Sequence, residues 1–160
     1  MNIYVTGPIA YERAKELLEE NRQFLKERFP VFFLKQFECI EEQTCDIIKN
    51  DVAAFEISEG GLFGALWTAM AELKKGCEIN LRDIPVRQEV IEIMELFDEN
   101  PYESSSKGAW LIVSDKHEDY SLIGYTTDKK DRVVVCEDQR RFLTPLNRQL
   151  KDIADRQRVK

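Results

Sequence analysis

The chain has 160 residues, the length of one domain, and its 43% hydrophobic and 33% charged residues are an ordinary globular balance. Twenty-three basic residues against 30 acidic ones leave a net charge of −7, and no basic face interleaved with aromatics is visible, which argues against general nucleic-acid binding. The longest apolar run, Leu62 to Met70, contains Gly64 and Thr68 and falls short of the roughly 20 residues needed to span a bilayer.

The first predicted element is a short strand, Ile3 to Thr6, ending at Gly7. Pro8 suits the first turn of a helix, where its missing N–H costs nothing. Ala10, Ala14, Leu17, Leu18, Phe24 and Leu25 then follow at helical spacing, and Pro30 ends the helix. A less regular helical segment is predicted over about residues 31–50. Val52 to Ile57 reads as a buried strand. Ser58 is expected to cap a helix from Glu59 to Lys74, which is apolar nearly all round and stopped by Gly76. Cys77 to Leu81 reads as a strand, and Pro85 begins an amphipathic helix with Val86, Val90, Met94 and Phe97 inward, closed by Asn100-Pro101. Strands are predicted at Ala109–Val113, Ser121–Tyr125 and Val133–Cys136, with a further short one at Arg141–Leu143. Residues 1–145 read as one domain and 146–160 as a charged helical tail. Strands alternating with helices, then a strand cluster, predict an α/β (α+β) fold with helices packed on a mixed β-sheet.

Chemistry is best placed at Glu56-Ile57-Ser58-Glu59-Gly60-Gly61, a strand-to-helix junction. Paired glycines at a helix start let a ligand or another chain approach the backbone, and the free N–H groups there attract anions. The carboxylates of Glu56 and Glu59 are suited to a metal-bound phosphate or a proton, but they repel an unescorted anion. The plain alternative is that the glycines permit close helix–sheet packing and Glu59 favours the helix dipole. A second loop, Ser105-Ser106-Lys107-Gly108, offers hydroxyls, an amine and a glycine; its plain alternative is a solvated turn. His117 is the only histidine, among Asp115, Glu118 and Asp119, with no nucleophile to serve. The cysteines at 39, 45, 77 and 136 show no metal spacing and are expected to be reduced, in a cytoplasmic protein. No catalytic or metal-ligating residue is assigned. Met-Asn-Ile-Tyr-Val lacks a secretory signal's basic and apolar regions, and Met1 before a strand is expected to start a natural chain.

Read together, these segments resemble the C-terminal domain of the AIR synthase-related superfamily. The resemblance runs through Tyr4-Val5-Thr6-Gly7-Pro8-Ile9, Leu25 to Pro30, Ser58 to Trp67, Cys77-Glu78-Ile79, Ile84-Pro85-Val86-Arg87, Asn100-Pro101-Tyr102 and Ser105 to Val113. It is sharpest at Ser58-Glu59-Gly60-Gly61-Leu62-Phe63-Gly64 and most like the hydrogenase-maturation carbamoyl dehydratase (hydrogenase expression/formation protein). The resemblance implies helices on a mixed sheet. It also implies a loop, matching Glu56, Ser58, Gly60 and Gly61, that lines a cleft against an ATP-binding N-terminal domain. Four departures stand out. No counterpart of the ATP-binding domain is present, and Phe55-Glu56 replaces a His-Asp pair. About seven residues remain where a helix usually lies between the strands at Ala109–Val113 and Ser121–Tyr125, and the chain ends without the reactive terminal cysteine.

The expectation is therefore a stand-alone, non-catalytic binding or interaction module. It associates with itself or with a protein partner over the exposed cleft face, without nucleic acid, membrane or cofactor. The alternatives are half of a split enzyme, with ATP and Mg entering only through a partner's nucleotide-binding domain, and a small-anion or nucleotide sensor.

Overall fold

The computed structural model describes residues 1–37, 53–106 and 108–143. Seven strands, β1 (Asn2–Val5), β2 (Ala53–Glu56), β3 (Gly76–Asn80), β4 (Trp110–Ser114), β5 (Ser121–Thr127), β6 (Arg132–Cys136) and β7 (Gln139–Phe142), form one sheet. Their order is β2-β4-β1-β5-β3-β6-β7. Only β3 and β6 pair in parallel, so the sheet is mixed, as expected. Five helices accompany it among the described residues: α1 (Tyr11–Glu20), α2 (Arg22–Arg28), α3 (Val31–Lys35), α4 (Gly61–Leu73) and α5 (Gln88–Leu96). None is long and apolar enough to cross a membrane.

Side chains alternate along a strand, so the registers sort the sheet into two faces. Ile3, Val5, Leu111, Val113, Cys77 and Ile79 bury against Leu62, Ala65, Leu66, Ala69 and Met70 of α4. The second core is helical. Ala14, Leu17 and Leu18 of α1 meet Leu25, Phe37, and Val90, Ile93 and Met94 of α5. Val86 touches both cores. Arg13 of α1 grips Glu99 beyond α5 with two hydrogen bonds, 2.6 and 2.8 Å.

Several boundaries differ from those predicted, each for a tertiary reason. Pro8 precedes α1 rather than starting it, because Ile9 N–H donates to the Pro85 carbonyl and Ala10 sits at φ 62. The single helix predicted up to Pro30 is broken at Asn21, whose backbone N–H and Nδ2 both donate to the Leu17 carbonyl. Ser58 does not cap α4; Gly60 does, at φ 91, and Gly61 begins the helix. Lys74, in the left-handed region at φ 55, ends α4, and Gly76 opens β3 instead. Pro85 lies outside the helix, and α5 starts at Gln88 after the extended Arg87. The last strand runs from Gln139 to Phe142, two residues earlier than expected. Val52, the continuation of the 31–50 helix past Phe37 and the 146–160 tail lie outside the described residues.

The pairing of β1 with β5 carries a bulge. Tyr4 faces Leu122 and Ile3 faces Gly124, so Ile123 is the extra residue. Ile123 turns into the core while Leu122 and Tyr125 turn outward. A side chain at Gly124 would run into the Glu78 carbonyl. Residues 115–120, between β4 and β5, contain no helix, as the sequence spacing implied.

Candidate functional site

The two loops singled out in the sequence lie side by side. Ile57, fully buried after β2, donates its N–H to the Ala109 carbonyl at 3.1 Å and accepts from Ser106 N–H at 3.0 Å. Ala109 N–H returns to the Ser106 carbonyl at 2.9 Å. Ser106 is 3% exposed, and its Oγ accepts from Ala10 N–H at 2.6 Å. Residues 6–10 therefore join the same junction, reinforced by Trp110 N–H donating to Thr6 Oγ1 at 2.9 Å. The sequence reading missed Thr6 and Ala10. The only local signal was the Thr-Gly-Pro run, which reads equally well as a helix start.

The glycines have different environments. Gly60 and Gly61 both hold positive φ, 91 and 67. Gly61 N–H closes a turn onto the Ser58 carbonyl at 2.9 Å. A Cβ at Gly61 would lie 2.5–2.7 Å from the backbone of Tyr102, Glu103 and Ser104. Tyr102 in turn stacks on Phe63 of α4, with ring centroids 5.4 Å apart. Gly61 is thus where the first turn of α4 abuts the 101–103 turn. Glu56, at the end of β2, is exposed, as are Ser58 and Glu59, while Ser105 and Gly108 are half-buried. Lys107 lies outside the described residues. The junction consequently has an inner part of backbone, Gly61 and the Ser106 hydroxyl, and an outer rim of Glu56, Ser58 and Glu59. The α4 N-terminus carries no side-chain cap.

Elsewhere the reactive side chains are scattered. His117 is exposed. Cys77 of β3 is buried in the core between the sheet and α4, and burial pushes its thiol up to about 11, while Cys136 is exposed. Cys39 and Cys45 lie outside the described residues. Among the described residues, no three His, Cys, Asp or Glu side chains gather as metal ligands would. Hydrogen bonds from the Arg13 guanidinium hold the Glu99 carboxyl below the usual carboxylate range.

No model of a protein family matches the sequence, and no curated protein matches it. Solved structures do. Hydrogenase maturation protein HypE superimposes with a TM-score of 0.68 at 15% identity, covering 91% of this chain and 53% of that one. HypE of E. coli gives 0.65 at 19% identity, over 92% of this chain and 51% of the other. Thiamine monophosphate kinase of Aquifex aeolicus gives 0.55 at 17% identity, over 88% and 51%. The chain spans about half the length of the structures it matches. At these identities the likeness is one of fold, and at that level the resemblance to an AIR synthase-related C-terminal domain holds.

Proposed function

We propose that this chain is a non-catalytic binding or interaction module, cytoplasmic, built on an AIR synthase-like C-terminal fold. One observation carries the reading: the loop best suited to chemistry is used as a joint. The space a side chain would occupy at Gly61 is filled by the backbone of residues 102–104. The Ser106 hydroxyl of the second loop, on a residue 3% exposed, is committed to Ala10 N–H. Among the described residues the exposed carboxylates of the rim, Glu56 and Glu59, disfavour an unescorted phosphate. Binding then falls to the molecule's outer surfaces, in self-association or with a protein partner.

The test is calorimetric titration of the purified chain with Mg–ATP and with inorganic phosphate, alongside an ATP-turnover assay. Neither binding nor turnover is expected. Saturable phosphate or nucleotide binding that Gly60→Ala weakens, in a variant that stays folded, would overturn the reading in favour of an anion sensor. Recovery from its own cells with a stoichiometric chain that confers ATP turnover would replace it by half of a split enzyme.

A further inference from the structure

We propose that β7 is a docking edge for an extended segment of a protein partner, one that alternates acidic with apolar residues, and that Arg141 and Arg132 take its carboxylates. This names the surface and the partner chemistry for the interaction-module reading and rests on it. β7 is the last strand in the sheet order, and all four of its residues are exposed. Leu143 N–H donates to the Arg132 carbonyl at 2.7 Å. In an antiparallel ladder successive residues turn their backbone groups to opposite sides. Gln139 and Arg141 therefore face β6, while Arg140 and Phe142 turn N–H and C=O outward. Among the described residues no strand pairs with that outer edge.

The registers set Val134 opposite Arg141 and Cys77 opposite Arg132, so both arginines lie on the α4 side of the sheet. The Arg132 guanidinium lies 4.1 Å from the Trp67 ring centroid, and its Nε is buried without a hydrogen-bond partner. Arg141 bonds Gln139 of its own strand at 3.2 Å. Among the described residues neither arginine forms an ion pair. The strand residues beside them on that side, Cys77, Ile79, Val134 and Gln139, carry no carboxylate. On the other side of β7, Arg140 is already bonded to Glu78 at 3.0 Å, and Phe142 is 72% exposed. The two sides therefore call for different neighbours, a carboxylate beside Arg141 and an apolar side chain beside Phe142. A strand added to β7 supplies both, because its side chains alternate. A carboxylate on its α4 side meets Arg141. Arg132, one strand further in and diagonal to Arg141, is within reach of a long side chain. A second copy of β7 is the wrong occupant, since it sets arginines against arginines. The net charge of −7 does not decide the contact, because exposed charges more than about 8 Å away are largely screened at physiological salt.

Titration of the full chain with the blocked peptide Thr-Glu-Val-Glu-Val-Thr, followed by amide NMR, tests this against the same peptide with Gln in place of Glu. The Glu peptide is expected to saturate by millimolar concentration and to bind several-fold more tightly than the Gln peptide. Amide exchange at Arg140 and Phe142 is expected to slow on binding, while Gln139 and Arg141, already bonded to β6, stay unchanged. Arg141→Gln and Arg132→Met are each expected to weaken binding about three- to tenfold, with unchanged far-ultraviolet circular dichroism. Arg28→Gln, an equal charge change on α2, is expected to leave it unaltered. Failure to saturate, equal binding of the two peptides, or unslowed exchange at Arg140 and Phe142 would each overturn the proposal. So would an Arg28→Gln loss as large as that of the β-strand variants, or displacement of the peptide by equimolar inorganic phosphate. ATP turnover by a chain that passes these tests would sink the non-catalytic reading and leave this edge standing. Absence of both peptide binding and turnover would remove the edge and leave the non-catalytic reading in place.

Discussion

Gly60 and Gly61 are adjacent, alike in sequence and unlike in cost. Alanine at Gly60 must adopt a left-handed conformation, at about 1–2 kcal/mol. Alanine at Gly61 bears the same conformational cost and also drives a methyl into the backbone of Tyr102 to Ser104. Overpacking adds about 1–3 kcal/mol. Urea denaturation is expected to show Gly61→Ala destabilised by about 2–5 kcal/mol and Gly60→Ala by about 1–2 kcal/mol. Equal losses would remove the packing role assigned to Gly61. Glu99 gives a pH test at the same scale. Its folded carboxyl titrates below the unfolded value because Arg13 bonds the charged form. The stabilisation is therefore complete above the unfolded pKa, about 4.3, and is lost as pH falls through the lower folded value. Both groups are about 30% exposed, which limits the pair to roughly 0.5–1 kcal/mol. Glu99→Gln is expected to lower stability by that amount at pH 7 and to lose less than wild type on acidification below pH 4, as read by denaturant midpoints at each pH.

The elements are tied together by side chains as well as by strand pairing. Arg132 of β6 lies over the Trp67 ring of α4, 4.1 Å from its centroid. Its Nε is buried and meets no hydrogen-bond partner. The two effects oppose each other. A cation–π contact contributes about 0.5–2 kcal/mol, while an unsatisfied buried donor costs about 1–3 kcal/mol. Arg132→Met keeps the length and the apolar contact and removes both. Its stability is expected within about 1 kcal/mol of wild type. A loss above about 2 kcal/mol in thermal or urea unfolding would mean that the guanidinium anchors β6 to α4 by more than this contact. The element boundaries follow the same logic. Ser58 is the better cap by composition, yet it lies in a turn that Gly61 N–H closes onto its carbonyl, and Gly60 in the left-handed region takes the cap position. Asn21 divides α1 from α2 because its side chain competes with the backbone for the Leu17 carbonyl.

At the scale of the whole molecule, the described residues form two cores, and Val86 packs against both. The sheet core holds central strands β1, β5 and β4, hydrogen-bonded on both sides. The helical core is built from short helices, α2 of seven residues and α3 of five, which have little stability apart from their packing. Native-state hydrogen exchange is expected to show α2 and α3 opening at a lower free energy than β1 and β4. Equal protection throughout would mean that the two cores unfold as one unit.

Much of this architecture is legible in the amino-acid order because it depends on local periodicity. Leu17 and Leu18 of α1 and Val90 and Met94 of α5 repeat at helical spacing, and both stripes are buried. Each strand within the described residues was located to within two residues. The glycine loop was legible as a special backbone site, since paired glycines after a carboxylate-bearing strand have few local uses. Its role was not. Whether Gly61 faces a ligand or the backbone of residues 102–104 depends on segments about 40 residues apart. That Ser106 is consumed by Ala10 depends on a separation of 96. That Leu122, Tyr125 and Phe142 come to one sheet face needed the sheet order and the β5 bulge, because strand neighbours in space are not neighbours in sequence. The sequence by itself determined the element types, the two apolar stripes and the fold class, all products of short-range patterning. Only the tertiary structure decided which glycine packs and which polar groups are committed. It alone also showed which sheet face is left open, because those depend on contacts between distant parts of the chain.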